Sequence, residues 1–250
     1  MMYIHVMEIS KGQKMRTLLT AAFAAICAVL ATLACAAAGL AAAAPVVADV
    51  NLADPAELGP GARWWTYEGD GSCSAGWIVN DGAREYMYSA GHCAPKGARA
   101  MLGHGRESLG KVVISQSDER TNSGSDPVYD VAAIELENDD ATNLVPGFGE
   151  AKRLMSKDEL LSARPDLCVV GQRTGLSCGS FEGIQDNGTN ILLRVPVDHG
   201  DSGGAVFAVT SSGEVVAVGT MIGFLKEDRG MAIAQILDGS MDPSMRFGRL

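Results

Sequence analysis

Between residues 75 and 236 the chain is a succession of short apolar or alternating runs, each closed by Gly, Asn, Asp or Ser. The runs lie at 75–79, 85–89, 98–102, 111–115, 131–136, 167–170, 180–184, 191–195, 205–209, 215–221 and 231–236, and they are rich in Val and Ile. β-Branched side chains pack well on a pleated surface and lose rotamer freedom in a helix. Short, evenly spaced runs with turn residues between them specify an all-β sandwich or barrel. The 30 glycines among 250 residues fit a chain with many turns and exceed what a helical bundle needs. One helix signal interrupts the pattern. Ser156-Lys157-Asp158-Glu159 has the capping-box spacing, followed by Leu160 and Leu161, and would connect two halves.

The N-terminus has a different character. Lys11, Lys14 and Arg16 precede a stretch, 18–48, that holds no Lys, Arg, Asp or Glu and is mostly Ala with Leu, Val and Ile. A basic n-region followed by an apolar h-region reads as a secretory signal, so 1–48 is expected to be a leader cut after Ala48. Its rival is an uncleaved membrane anchor, because the run approaches the ~20 residues of a spanning helix. Residues 49–70, rich in Pro, Gly and Asp at their start, read as an extended lead-in. The remaining 71–250 forms the folded domain, with halves at about 71–150 and 151–250.

The chain carries 20 Lys+Arg against 30 Asp+Glu, a formal net charge of −10. No block of basic residues occurs, which excludes a phosphate-tracking nucleic-acid binder. Four cysteines follow the leader: Cys73, Cys93, Cys168 and Cys178. An even number in an exported chain reads as disulfides, and closeness in sequence favours Cys73–Cys93 and Cys168–Cys178. A zinc site is the competing reading, but no Cys-x-x-Cys spacing occurs.

Three short segments carry chemistry: Ser89-Ala90-Gly91-His92-Cys93, Tyr129-Asp130-Val131-Ala132, and Gly200-Asp201-Ser202-Gly203-Gly204. Each alone has a bland reading as a turn or a cap. Together they supply what acyl-bond hydrolysis needs. A serine hydroxyl is a poor nucleophile until a base takes its proton. An imidazole, with an unperturbed pKa near ~6.5, suits that task. A carboxylate fixes the tautomer of the base and stabilises the imidazolium. Backbone N–H groups beside the serine can hold the oxyanion, and glycines let the backbone come close. The third segment also satisfies Gly-x-Ser-x-Gly, but a nucleophile elbow is followed by its histidine, and no histidine follows Ser202. The available order is His, Asp, Ser.

On these motifs the chain resembles the chymotrypsin/trypsin-like serine peptidases, and among them the secreted bacterial branch of alpha-lytic protease and streptogrisin type, over about residues 71–224. The resemblance implies an all-β fold of two six-stranded antiparallel β-barrels packed around a cleft. It implies a triad of His92, Asp130 and Ser202, with the N–H groups of Gly200 and Ser202 as the oxyanion hole. Cys73–Cys93 matches the bridge beside the catalytic histidine, and Cys168–Cys178 a bridge typical of the bacterial branch. Such an enzyme needs no metal or cofactor, takes a polypeptide as substrate, and is expected to be a secreted monomer with no lasting membrane association. The rival from another class is an inactive binding or scaffold module on the same fold.

Two departures stand out. No Ile-Val-Gly-Gly terminus precedes Cys73 to pair with Asp201, and the position after Cys168, where bacterial relatives often carry Arg, is Val169. Arg173 is the substitute partner the sequence offers. The resemblance also places the specificity pocket between Pro196, Val197, Asp198 and His199 on one side and Met221, Ile222, Gly223 and Phe224 on the other. With Pro196 at its base, a small-to-medium apolar residue is expected before the scissile bond. An acidic residue read by His199 is the competing expectation, and a loop shift carrying Asp198 into the pocket would restore a basic one. His104 reads as a turn residue, Trp64 and Trp65 as covering a barrel end, and Asp118, Asp126, Asp139 and Asp140 as solvated loop charges.

Overall fold

The structure, a computed structural model, describes residues 51–250 apart from 53–54, 56, 68–70, 106, 119–127, 139 and 186–187. The leader with Cys27 and Cys35, and loop residues Asp126 and Asp139, lie outside the described residues. Residues 72–80 take part in two strand pairings. Strand β2 (Ser72–Ser74) pairs antiparallel with β1 (Arg63–Thr66), and β3 (Ile78–Asn80) pairs with β4 (Glu85–Ser89). Between them the backbone changes partner: Ala75 bonds to residues 61 and 62, and Gly76 and Trp77 bond to Tyr88. Further antiparallel pairings join β4 to β7 (Asp130–Leu136), β7 to β6 (Ser108–Ser117), β6 to β5 (Arg99–Leu102), and β5 back to β1. The strand formed by 72–80 therefore closes a ring of six. A closed barrel removes the exposed strand edges that an open sheet would present.

The second half begins with the expected helix, α1 (Lys157–Ala163), whose first turn is capped by the Ser156 hydroxyl accepting the Glu159 N–H at 3.1 Å. Glu159 does not complete the capping box; its carboxylate takes two bonds from Arg153. A short antiparallel ribbon, β8 (Leu144–Val145) with β9 (Gly149–Glu150), precedes the helix. Six strands follow it: β10 (Asp166–Gly171), β11 (Gly175–Gln185), β12 (Asn190–Arg194), β13 (Ala205–Val209), β14 (Val215–Phe224) and β15 (Met231–Ile236). They close into a barrel in the order β10-β11-β12-β15-β14-β13. The structure has both expected disulfides, Cys73–Cys93 and Cys168–Cys178, the latter between directly opposed residues of β10 and β11.

Two elements lie across the expected division. Strand β1 comes from the segment read as a lead-in, because Trp64 and Thr66 on one face of it are buried. Residues Arg246–Phe247 form a last short strand that returns from the C-terminus to pair with β3.

Side-chain alternation sorts the core into layers. Leu167, Val169, Val206, Ala208, Val216 and Val218 fill the second barrel. Trp64, Ile78, Met87, Ala132 and Ile134 fill the first. The alternate residues of the same strands, Val131, Ala133, Val170, Ala205, Phe207 and Ala217, meet Trp77 and Tyr88 in a third layer between the barrels. Strands buried on both faces lose the polar alternation of a surface strand, which is why these runs read as continuously apolar. The Trp77 indole N–H also donates to the Gly219 carbonyl at 2.8 Å, pinning one barrel to the other.

Phe207 sits fully buried in the middle layer, edge-on to Phe148 with centroids 5.1 Å apart. Phe207→Ala is expected to lower unfolding free energy by about 3–5 kcal/mol in denaturant titration. Val209→Ala on the same strand, at an exposed position, should change it by less than about 0.5 kcal/mol.

Candidate active site

The β4–β7 register brings His92 and Asp130 together. Ser89 lies opposite Ala132 in that antiparallel pair. Continuing outward, the residues just past Ser89 meet those just before Ala132. His92 stands in the 3-10 turn Gly91–Cys93 that follows β4, and Asp130 is the first residue of β7. The turn is held by the Ser115 hydroxyl, which donates to the carbonyls of Ala94 and Gly91, and by the Cys73–Cys93 bridge. A Cβ at position 91 would collide with the Gln116 carbonyl, so the residue before His92 must be glycine.

Asp130 engages His92 twice. One carboxylate oxygen accepts the His92 backbone N–H and the other meets Nδ1, each at 2.8 Å. A carboxylate only accepts, so Nδ1 carries a proton, and in the neutral imidazole the lone pair is on Nε2. Asp130 is in turn located from the second barrel. Its N–H donates to the Gln235 Oε1 at 2.9 Å, while the Gln235 Nε2 donates to the Thr189 carbonyl at 2.8 Å. Gln235 is fully buried in β15. Sequence reasoning missed it, although a lone amide inside the run 231–236 signals a buried polar group that must find partners.

Ser202 is half-buried in the loop between β12 and β13. Its carbonyl accepts the Ser74 N–H at 2.7 Å, and the next residue, Gly203, donates to Met221 at 2.6 Å. The loop is thus bonded to the first barrel on one side and to β14 on the other. Both described bonds of His92 go to Asp130, and none reaches the Ser202 hydroxyl. The N–H groups of Asp201, Gly203 and Gly204 are satisfied by Asp198, Met221 and Asp201 carbonyls. Among the described residues those of Gly200 and Ser202 have no acceptor. Gly200 adopts φ +105°, a conformation open to glycine, and its carbonyl accepts the Ser74 hydroxyl at 2.8 Å.

Asp201 is fully buried. The structure corrects the expectation that the Arg173 side chain would satisfy it. Its carboxylate instead accepts four bonds: from the backbone N–H groups of Arg173, Thr174 and Asp198 at 2.9, 3.0 and 2.8 Å, and from the Thr174 hydroxyl at 2.8 Å. Arg173 contributes through its backbone, and several oriented N–H groups can stabilise a carboxylate without a cation.

The residues expected to form a pocket separate into two groups. Val197 and Met221 are buried in the second barrel's core, and Ile222 packs on Ala90 and Ile233 beside Cys93. Pro196, Asp198 and His199 are exposed, and Gly223 and Phe224 half-buried. The His199 and Phe224 rings meet edge-on with centroids 5.4 Å apart. The Arg229 guanidinium lies 4.9 Å over the Phe224 ring and 3.8 Å from Asp198. Arg229 carried no signal in the sequence, since it stands in a polar loop.

Replacing Asp201 by Asn keeps the shape and removes acceptor capacity from a buried four-donor site. Asp201→Asn should cost about 1–3 kcal/mol in unfolding free energy. Thr174→Val, which removes one donor, should cost less. Equal stability of Asp201→Asn and the parent would show that the four bonds contribute nothing.

No family model matches the chain. Two strains of Mycobacterium tuberculosis each carry an uncharacterized protein 28% identical to it over 174 residues, covering 67% of this chain and 74% of that protein. Among solved structures, Nocardiopsis protease matches with a TM-score of 0.56 and 21% identity, covering 78% of this chain and all of that one. Cellulomonas bogoriensis chymotrypsin matches at 0.53 and 20%, covering 76% and 98%, and Thermobifida fusca protease A at 0.51 and 22%, covering 71% and 89%. In its two barrels and their order, this chain has the chymotrypsin-like fold of the bacterial serine proteases.

Proposed function

We propose that the chain is a secreted serine endopeptidase that hydrolyses peptide bonds through an acyl-enzyme. The observation that carries this reading is the His92–Asp130 pair, in which one carboxylate holds both the backbone N–H and the Nδ1 of His92. In the proposed reaction Ser202 Oγ attacks the scissile carbonyl while His92 Nε2 takes its proton. Asp130 holds the Nδ1–H and stabilises the imidazolium. The tetrahedral oxyanion takes hydrogen bonds from the N–H groups of Gly200 and Ser202, neither of which has an acceptor among the described residues. His92 then delivers its proton to the departing amine; water, deprotonated by the same imidazole, next attacks the acyl carbon, the bond to Ser202 Oγ breaks, and the imidazolium returns its proton to Oγ. The Ser202–His92 bond would form with substrate, since such bonds are often long in the free enzyme. The apolar leader and the two disulfides support export, where disulfides persist. Among the described residues no helix is long and apolar enough to cross a membrane.

Ile222 and Phe224 give an apolar character to the wall assigned to the residue before the scissile bond. That supports an apolar side chain there, and a buried unpaired charge would be penalised.

Purified Asp130→Asn should turn over casein about ten-thousand-fold more slowly than the parent, with Ser202→Ala and His92→Ala at least as impaired. Parent-like turnover by Ser202→Ala would remove the nucleophile assignment and leave a binding module on a peptidase fold. A peptide series varied only before the scissile bond should favour Ala and Val; strong preference for Arg or Lys would contradict the pocket assignment.

A further inference from the structure

The backbone at Ser202 separates two surfaces. On one side Gly203 bonds to Met221 of β14, the strand that leads into the proposed pocket at Ile222, Gly223 and Phe224. On the other, Ser202 bonds to Ser74 of β2. Next to this second side a groove of about 690 Å³ runs between β1–β2 and the turn joining β10 to β11, and Gly200 is part of its lining. A peptide whose residues before the scissile bond lie along β14 must leave the nucleophile on the groove side.

The described lining of the groove holds two arginines against one carboxylate, on an acidic protein. Arg63 and Arg173 line it with Trp65, Gln172 and His199. Arg84, Arg99, Arg153, Arg194, Arg229 and Arg249 each have a carboxylate at 3.8 Å or closer. Among the described residues Arg63, Arg173, Arg164 and Arg246 have none, and the first two both line the groove. The Arg63 Nη1 meets the His104 ring instead, at 2.7 and 2.8 Å. Arg173 is exposed, and its Cβ lies 3.6 Å from where a Cβ on Gly200 would stand, which sets the base of its side chain beside the proposed oxyanion donor. The groove's one described carboxylate, Asp198, is already engaged: it accepts the His199 N–H at 2.8 Å and faces Arg229.

We propose that this groove binds the residues that follow the scissile bond and selects a carboxylate among them, held by Arg173 and Arg63 with Trp65 as an apolar wall. The proposal rests on the peptidase reading, which supplies the direction of the substrate. Two arginines with no carboxylate partner among the described residues favour an anionic ligand, and part-desolvation in a groove strengthens that attraction over an open surface.

The test uses C-terminally amidated peptides with Ala before the scissile bond and Glu, Gln or Lys at each of the next three positions. At one of those positions kcat/KM should rank Glu about five- to tenfold above Gln, with Lys below Gln, and the ratio should shrink as salt is raised. Arg173→Glu should invert the Glu–Lys order, and Arg173→Lys should keep it. Free-acid peptides distinguish a chain-terminal carboxylate from a side-chain one, since only the former loses its advantage on amidation. Equal cleavage of Glu and Gln peptides by the parent, or an unchanged order in Arg173→Glu, overturns the proposal. Turnover of a p-nitrophenyl ester, which has no residue after the scissile bond, tests the peptidase reading separately. Should ester and peptides both go uncleaved, titrating the same peptides against the Ser202→Ala protein decides the groove alone. Tighter binding of Glu than Gln that Arg173→Glu removes sustains it, and equal binding overturns it.

Discussion

One buried residue, Ser74, joins the first barrel to the loop that carries the proposed nucleophile. Every polar group it has is used. Its N–H donates to the Ser202 carbonyl, and its hydroxyl donates to the Gly200 carbonyl and accepts the Gln172 N–H. Its carbonyl accepts from the Trp64 indole and the Ser89 hydroxyl. For a buried residue each of those bonds would cost about 1–3 kcal/mol if left unmade. The strand that closes the first barrel thus also fixes the backbone of 200–202. Asp130 is held in the opposite sense, from the second barrel through Gln235. Each barrel locates a reactive group of the other, and the proposed site depends on how the barrels dock.

The same backbone economy explains Asp201. Its charge is met by three amides and a hydroxyl supplied by the β10–β11 turn and by its own loop. The conformation of 198–204 consequently does not require an arginine at 169 or the guanidinium of Arg173, and that guanidinium is left to face the groove.

The sequence was informative where burial has a period or a motif has an order. The apolar runs marked the strands of both barrels, and the Ser156-x-x-Glu159 spacing marked the one described helix. The separation of His92 and Asp130 is resolved by the β4–β7 register, so their pairing follows from the strands around them. Other features were not legible. Strand β1 was hidden in a Pro/Gly-rich lead-in, because only tertiary packing shows that Trp64 enters a core. Asp201's donors are mainly backbone amides, which no residue type advertises. Ser74, Gln235 and Arg229 act through partners far away in the chain, on strands or loops whose approach is set by barrel closure. The pocket residues were named by position alone, and position did not reveal that Val197 and Met221 belong to the barrel core while His199 closes on Phe224.

The central claim is that Ser202 is a nucleophile activated by His92. Covalent labelling reads it most directly. The folded protein is treated with a fluorophosphonate probe, and the adduct is mapped by peptide mass spectrometry. The account predicts one adduct, on the peptide containing Ser202, that is lost in His92→Ala while the variant keeps its fold by circular dichroism. No adduct on the folded parent, or labelling of Ser202 that is indifferent to His92, would contradict it.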